Sequence, residues 1–245
     1  MTNNVHLVLQ GKGGVGKSVL AAIIAQYLIS KGKKPLCIDT DPVNATFAGY
    51  ETLKAKRLDI MNGDEIDTHN FDMLIEMIAN ESKEDIIIDN GASSFVALSS
   101  YLLSNEVPQL LEGMGRKLII NTVITGGQAM EDTVTGFDWL AHQFPDCCTF
   151  LVWLNPYWGP VEFNGKTFET LPVYLENRHR VSGFVTIPNM KGETFGRDFS
   201  EMLKAKKTFD EAMSDPTTTI MTKQRLKIVK GKLFAALDQL APVLL

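Results

Sequence analysis

The sequence predicts an α/β fold, a doubly wound and mostly parallel sheet with helices on both faces. Apolar runs of strand length alternate with helical stretches, which is typical of parallel strands joined by crossover helices. Most of these runs are continuous rather than alternating, as expected for strands buried on both faces. At 245 residues, the chain is longer than a mini-protein and shorter than two domains of about 150 residues each. We therefore expect one domain over residues 1–245.

Each apolar run is long enough for only one strand. The predicted strands are Val5–Leu9, Pro35–Ile38, Ile86–Ile88, Leu118–Ile124, Phe150–Leu154 and Val181–Ile187. The predicted helices are Gly16–Ser30, Phe71–Asn80, Phe95–Ser104, Gln128–Gln143, Thr167–Arg178, Phe199–Lys207 and Met221–Leu240. Pro172 starts or kinks the helix that contains it. We expect Asn155–Lys166, with its proline, glycine and aromatic residues, to form a long surface loop.

The composition excludes several classes of protein. Hydrophobic residues make up 44% and charged residues 22%, which argues against disordered, collagen-like and disulfide-scaffold chains. The net charge of −5 gives no whole-surface attraction to nucleic acid. Cys37, Cys147 and Cys148 lack CxxC spacing, so we expect neither a disulfide framework nor zinc. No signal layout or membrane-spanning run is present, and we expect a cytoplasmic protein without a transmembrane segment.

A glycine-rich segment follows the first strand and precedes an apolar helix. Gly11–Ser18 matches G-x-x-x-x-G-K-[ST], whose backbone N–H groups surround phosphate oxygens. We expect Lys17 to hold the β- and γ-phosphates and Ser18 to bind Mg²⁺. A glycine turn that only caps a helix is the alternative, but the motif is complete and correctly placed. The nucleotide-binding residues predicted here are Gly11, Lys12, Gly13, Gly14, Val15, Gly16, Lys17, Ser18 and Val19.

Acidic residues follow the next two strands, at the sheet edge where open α/β folds bind ligands. Asp89 fits the Walker B role of holding Mg²⁺ through its water shell, and Asp41 or Asp39 is placed to orient an attacking water. Helix capping is the alternative for each acid alone, and their shared position favours a site that hydrolyses nucleoside triphosphate. ATP is favoured over GTP, because no guanine-reading N-K-x-D segment follows Phe150–Leu154.

The chain resembles the deviant Walker A ATPases of the ParA/MinD class, whose phosphate loop carries an extra lysine before its glycine pair. Here that lysine is Lys12, and the segments at Cys37–Thr46 and Ile86–Asp89 are similar to the D-x-D-P and Walker B segments of the class. More narrowly, the chain resembles the TraL proteins of plasmid conjugal transfer and the StbB proteins of plasmid stability. The segments that carry this narrower resemblance are Leu9–Ser18, Cys37–Ala45, Val152–Gly159 and Gly196–Leu203.

The resemblance implies roles that spacing alone does not show. It implies that Lys12 reaches the nucleotide of a partner subunit, so that ATP is sandwiched in a homodimer. It further implies a water-activating role for Asp41, which with Lys12 and Lys17 forms the predicted catalytic set. Asp39 takes an outer-shell role, so that the predicted metal residues are Ser18, Asp39 and Asp89.

Base recognition is also implied by the resemblance. Asn155 is similar to the asparagine that contacts adenine, and Pro188 and Asn189 are similar to a second base-contacting strand end. The chain departs from the class after Walker B, where Asn90-Gly91-Ala92-Ser93 replaces a Thr-Pro-Pro type segment. This departure concerns the switch region and the choice of partner.

The favoured hypothesis is a nucleotide-switch ATPase that hydrolyses ATP slowly and acts with plasmid transfer or stability proteins. The alternative is a small-molecule carboxylate ligase or kinase of the dethiobiotin-synthetase or cobyrinate-amidation type, whose turnover depends on a small acid. A nitrogenase-like iron–sulfur reductase is disfavoured, because adjacent Cys147 and Cys148 lack the usual ligand spacing. The basic amphipathic stretch Met221–Leu245 either packs on the sheet or contacts DNA or a membrane surface. The second alternative would place the protein at the nucleoid or the membrane.

Overall fold

The computed structural model describes residues 3–81, 84–188 and 194–245. Its strands are β1 Val5–Val8, β2 Leu36–Asp39, β3 Lys56–Arg57, β4 Met61–Asn62, β5 Glu65–Ile66, β6 Ile86–Asp89, β7 Leu118–Thr125, β8 Thr149–Asn155, β9 Glu162–Phe163, β10 Lys166–Thr167 and β11 Val181–Thr186. Seven of them form one sheet in the order β11-β8-β7-β1-β6-β2-β3, and every neighbouring pair is parallel. This arrangement confirms the predicted doubly wound fold.

The register of the sheet brings the ends of the central strands together. Val8 of β1 pairs with Asp89 of β6 and Asn121 of β7, and Asp39 of β2 pairs with the same Asp89. Because parallel strands share their carboxyl edge, the glycine-rich segment after β1 starts beside both strand-end acids.

Helices follow most strands. They are α1 Lys17–Ser30, α2 Asn70–Asn80, α3 Phe95–Ser104, α4 Val107–Gly113, α5 Met130–Gln143, α6 Pro172–Asn177, α7 Phe195–Lys204, α8 Phe209–Ser214, α9 Ile220–Asp238 and α10 Ala241–Leu244. No helix in the described ranges is long and apolar enough to cross a membrane.

Alternating side chains of the central strands pack into hydrophobic cores on opposite faces of the sheet. Val8 and Ile87 pack with α1, α7, α8 and α9 on one face, whereas Leu7 and Ile88 pack with α2, α3, α4 and part of α5 on the other. The inner side of α9 is buried there through Leu226, Val229, Leu233 and Leu237. The basic stretch near the C-terminus is therefore a packed helix, α9, followed by the short helix α10, and the basic residues of α9 lie on its remaining sides.

Several predicted boundaries were wrong. Asn155–Lys166 is not a continuous surface loop, because a 3₁₀ turn at Pro156–Trp158 and the β9–β10 hairpin order it. Pro172 starts α6, and the residues before it form a separate 3₁₀ turn, Phe168–Thr170, so Thr167–Arg178 is not one helix. The predicted helix Phe199–Lys207 begins four residues earlier, at Phe195.

His6 of β1 lies fully buried beside the Asp85–Lys33 ion pair. In the described part of the chain neither ring nitrogen makes a hydrogen bond of normal geometry, although the Leu244 backbone lies close enough to favour its protonation. Burial lowers the pKa of His6 to about 4, because desolvation outweighs the opposing attraction of Asp85. Folding therefore favours the neutral imidazole.

The pKa of His6 is about 4 in the fold and 6.5 in the unfolded chain, so between these values only the unfolded chain binds the proton. Protonation therefore does not destabilise the fold above pH 6.5, and the free energy of unfolding decreases as the pH falls below 6.5. Relative to His6→Leu, the wild type should lose about 2 kcal/mol of unfolding free energy between pH 7.5 and 5. Urea unfolding of both proteins measures this difference, in which groups common to both cancel. Equal pH profiles would contradict it.

Candidate nucleotide-binding site

The glycine-rich loop adopts a backbone that only glycine accepts easily. Gly14 and Gly16 have φ values of 73° and 102°, in the left-handed region. Gly16 directly precedes α1, and a Cβ on it would lie 3.2 Å from Nδ2 of Asn155. The loop therefore ends at the amino terminus of α1, whose free N–H groups and positive dipole end favour a bound phosphate.

Lys17 is the first residue of α1 and its side chain is held inside the loop. Its ammonium donates a hydrogen bond to the Lys12 carbonyl at 2.9 Å, and only 8% of the residue is exposed. Burial lowers the pKa of Lys17, while Asp89 and Asp41 act in the opposite direction. A desolvated ammonium in this position interacts strongly with an entering anion.

Asp89 carries a buried carboxylate at the end of β6. Neither of its oxygens has a hydrogen-bond partner of normal geometry among the described residues. Burial raises the pKa of Asp89 to about 7, and the neighbouring Asp39 adds to this rise, whereas Ser18 and Lys17 oppose it. An unpaired buried carboxyl group is costly, and a cation beside Ser18 would stabilise its charged form. Ser18 and Asp89 thus fit the oxygen ligands that Mg²⁺ prefers.

Asp39 and Asp41 shape the turn after β2. Asp39 accepts hydrogen bonds from the N–H groups of Asp41 at 2.9 Å and Ala48 at 2.8 Å. Burial raises its pKa. Asp41 accepts from Val43 and Asn44, so the structure gives it a turn-forming role. Neither carboxylate caps a helix of the described ranges, and both tie the turn at residues 40–48 to the end of β2.

Gly91 explains part of the unusual segment after Asp89. A Cβ at Gly91 would lie 2.7 Å from Cγ of Asp41, so a larger residue would displace that carboxylate. Asn90 accepts hydrogen bonds from Thr40 at 3.1 Å and Ser94 at 2.8 Å. The Asn-Gly sequence therefore joins the loops after β2 and β6 in one hydrogen-bonded unit.

Asn155 is turned towards the loop itself. Its amide donates to the Val15 carbonyl at 2.9 Å and accepts from the Tyr157 N–H at 3.1 Å. The structure thus shows Asn155 holding the phosphate loop against the end of β8, and contact with adenine stays a prediction. Pro188 lies just after β11, and Asn189 falls outside the described residues. Val19 is half-buried and packs against the core under α1.

Lys12 forms an ion pair that sequence reasoning missed. Its ammonium lies 2.7 Å from Oδ2 of Asp132 in the first turn of α5. The side chains of Lys12 and Asp132 are 44% and 55% exposed, so the pair is open to solvent and readily exchanged. Lys12 is therefore held within its own subunit in this state.

Gln10 is a second missed residue and is almost fully buried. Its amide nitrogen lies 3.3, 3.1 and 3.1 Å from Thr122 Oγ1, Val123 O and Thr133 O, which share its two hydrogens, and its oxygen accepts from the Gly11 N–H at 2.9 Å. These bonds connect the start of the phosphate loop to β7 and to α5. Gln10 is therefore a positioning residue for the loop.

The contact between Gln10 and α5 can be tested at Gly136. Gly136→Ala within a helix ordinarily stabilises by up to about 1 kcal/mol, but here the new methyl group would overlap Oε1 of Gln10. We expect it to destabilise the fold and to weaken nucleotide binding. Gly231→Ala in α9 is the matched control, because nothing lies within 4 Å of its Cβ position. Thermal unfolding with and without nucleotide measures both. Equal stabilisation by the two alanines would contradict the role of Gln10.

Two known sequences are similar to nearly the whole chain. It is 63% identical over 237 residues to a Protein TraL of Escherichia coli, with 97% of this chain and 98% of the relative covered. A second Escherichia coli Protein TraL is 62% identical over the same length. The chain belongs to the TraL family. Residues 7–105 of the chain match the family described as the CobQ/CobB/MinD/ParA nucleotide binding domain.

Solved structures agree with this assignment at the level of the fold. The MinC:MinD cell division protein complex of Aquifex aeolicus aligns with a TM-score of 0.55, 16% identity and coverage of 95% of this chain and 96% of that chain. MinD of the same organism gives a TM-score of 0.50 at 17% identity, over 95% and 97% of the chains. The TraL-family chain thus has the fold of the ParA/MinD-type P-loop proteins.

A more distant relative is an iron–sulfur ATP-binding protein. The light-independent protochlorophyllide reductase iron–sulfur ATP-binding protein of Roseiflexus sp. (strain RS-1) is 29% identical over 112 residues, 44% of this chain and 40% of that protein. In this TraL-family chain Cys37 and Cys148 are buried, and burial raises the pKa of Cys37 to about 12. Protonated, buried thiols of this kind are poor cluster ligands.

Proposed function

We propose that this chain is an ATP-binding switch protein that hydrolyses ATP slowly and acts in plasmid conjugal transfer or stability. The observation that carries the proposal is the buried carboxyl group of Asp89, which lies beside Ser18 and Lys17 at the mouth of a phosphate loop and has no hydrogen-bond partner of normal geometry among the described residues. A carboxylate, a hydroxyl and an ammonium so arranged fit Mg²⁺ and a triphosphate together. The family assignment supports the setting in plasmid transfer.

In this proposal the loop residues Gly11–Ser18 bind the phosphates through backbone N–H groups, and Lys17 contacts the β- and γ-phosphates. Ser18 and Asp89 would hold Mg²⁺, with Asp39 in its outer shell, and the ion would neutralise phosphate charge. Asn155, Pro188 and Asn189 would lie near the base. The proposal also includes an ATP-dependent homodimer in which Lys12 contacts the nucleotide of the other subunit.

Asp41 is the proposed water-orienting residue, and its replacement tests the hydrolytic part of the function. A group that acts mainly in the transition state affects kcat more than binding. We expect Asp41→Ala to bind ATP with Mg²⁺ within about threefold of wild type and to lower kcat by about 100-fold. Phosphate release and equilibrium binding of labelled ATP measure the two quantities.

Asp41→Asn separates this role from the turn. Asparagine keeps an oxygen that can accept from Val43 and Asn44 but lacks the negative charge. If Asp41 only shapes the turn, the asparagine variant should recover most of the turnover, and the water-orienting role is then refuted. Turnover that requires a small carboxylic acid would instead favour the ligase alternative.

A further inference from the structure

A groove of about 470 Å³ lies between α2 and the edge of the central sheet. We call the surface formed by Leu36, Asp72, Met73, Glu76 and Met77 the acidic groove. Met73 is 56% exposed, and Leu36 and Met77 supply further apolar surface. Methionine side chains adapt to varied apolar partners. The groove therefore offers an apolar floor between carboxylates.

The sequence around the acidic groove carries more negative than positive charge. No lysine or arginine occurs from Leu58 to Glu81, although Lys56 also lines the groove. The carboxylates of that stretch are Asp59, Asp64, Glu65, Asp67, Asp72, Glu76 and Glu81. Because like charges accumulate here, the groove attracts a positively charged partner.

A surface of opposite charge lies on α9. We call the exposed residues Ile220, Met221, Lys227, Ile228 and Lys232 the outer face of α9, and Ile220 is 84% exposed and Met221 59% exposed. Within the described residues no carboxylate lies within 4.0 Å of either lysine of this face. The inner side of α9 is packed, so this apolar and basic surface is outward in the folded chain.

The two surfaces match in spacing as well as in charge. Asp72 and Glu76 are four residues apart on α2, so both project from one side of that helix, and Lys227 of the outer face of α9 adjoins Ile228. Met221 and Ile228 are seven apart, the two-turn separation of apolar anchors in helix-in-groove recognition. One helix can therefore present both charges and anchors to the other.

The two surfaces lie on opposite faces of the sheet, because α9 belongs to the core under α1 and α2 belongs to the other core. A subunit cannot place its own α9 in its own acidic groove. We infer that the outer face of α9 docks in the acidic groove of a second copy of this chain. Such a contact is head-to-tail and extends into open assemblies. It needs no γ-phosphate and is distinct from the proposed ATP dimer.

Sedimentation velocity in ADP tests this contact. The wild-type protein at about 100 µM and about 50 mM salt should associate reversibly, and about 500 mM salt should dissociate the assemblies into monomers. Glu76→Lys and Lys227→Glu should each raise the dissociation constant at least about tenfold, because like charges then face each other. Glu112→Lys and Lys204→Glu are matched controls on exposed helix surfaces and should sediment as wild type.

Mixing the two variants gives the decisive comparison. In the mixture, the unaltered α9 of the Glu76→Lys protein can dock in the unaltered groove of the Lys227→Glu protein. The other contact, between the altered α9 and the altered groove, pairs the introduced glutamate with the introduced lysine and so restores the attraction with both charges exchanged. An equimolar mixture of the two weakly associating proteins should therefore recover wild-type association. Circular dichroism confirms that each variant is folded. The Lys12→Ala protein should associate like wild type, which separates this contact from the ATP dimer.

Three results would overturn the inference. Wild type that stays monomeric in ADP at low salt excludes the contact. Association that the charge reversals leave unchanged, or that mixing fails to restore, places it elsewhere. If phosphatidylserine vesicles or a random DNA duplex instead bind a monomeric wild type through Lys227, the outer face of α9 serves that surface and not a second copy.

Discussion

Lys17→Ala should abolish detectable ATP binding while leaving the fold intact. The Lys17 ammonium is buried at the amino terminus of α1 and would make two charge-assisted contacts with the β- and γ-phosphates. At about 1.5–3 kcal/mol for each charged hydrogen bond, their loss weakens binding by about 100-fold or more. Isothermal titration with ATP and Mg²⁺ measures this change.

The fold of the Lys17→Ala variant should survive, because alanine favours the helix and removes a desolvated charge. The remaining costs are the loss of the hydrogen bond to the Lys12 carbonyl and of the positive group that opposes the rise in the pKa of Asp89. Lys34→Ala is the matched control, an exposed lysine at the opposite edge of the sheet, and should bind ATP like wild type. Equal ATP affinity of the Lys17→Ala and wild-type proteins would refute the phosphate-loop assignment.

The phosphate loop and the strand-end acids could be predicted because their information is local. A strand, a glycine-rich turn and a helix follow one another within Val5–Ser30, and parallel strands carry Asp39 and Asp89 to the same edge. The long apolar strands could also be predicted, because the information that identifies them is local in the sequence. Their burial on both faces leaves a continuous pattern that needs no knowledge of partners.

The contacts that tune the loop could not be predicted, because they join distant parts of the chain. Gln10 meets the helix that carries Gly136 only after β7 pairs with β1, and Asp132 meets Lys12 through the same helix. A polar residue before the motif carries no signal of its own. Its one sequence correlate is a glycine inside a helix, at Gly136, which indicates close packing.

Short elements escaped prediction for a different reason. β3 has two residues and α4 has seven, too few to establish a period of two or 3.6. The β9–β10 hairpin is likewise made of two-residue strands, with Gly165 in the left-handed region at its turn. Tertiary contacts rather than local preference decide such segments.

Lys12 gives the prediction that separates a switch from a monomeric transferase. An ordinary phosphate loop needs no second lysine, since backbone N–H groups, Lys17 and Mg²⁺ already balance the triphosphate charge. If Lys12 contacts the γ-phosphate of the other subunit, ATP but not ADP stabilises the dimer. Lys12→Ala should then leave ATP binding to the monomer largely unchanged and weaken the ATP dimer by about 2 kcal/mol or more.

The ion pair with Asp132 sharpens this test by predicting a change of the opposite sign. Lys12 must leave Asp132 to reach another subunit, so Asp132→Asn should strengthen the ATP dimer. Because exposed ion pairs contribute at most about 1 kcal/mol, the gain should not exceed about fivefold. Sedimentation in saturating ATP compares the chain with Lys12 and Asp132 unaltered, the Lys12→Ala variant and the Asp132→Asn variant. All three carry Asp41→Asn to slow hydrolysis. Opposite shifts for Lys12→Ala and Asp132→Asn support the exchange of Lys12 between subunits, since a lysine that only supports its own loop would be impaired by both changes. Wild type that remains monomeric with ATP, or an alanine variant that dimerises equally well, removes the basis for the switch.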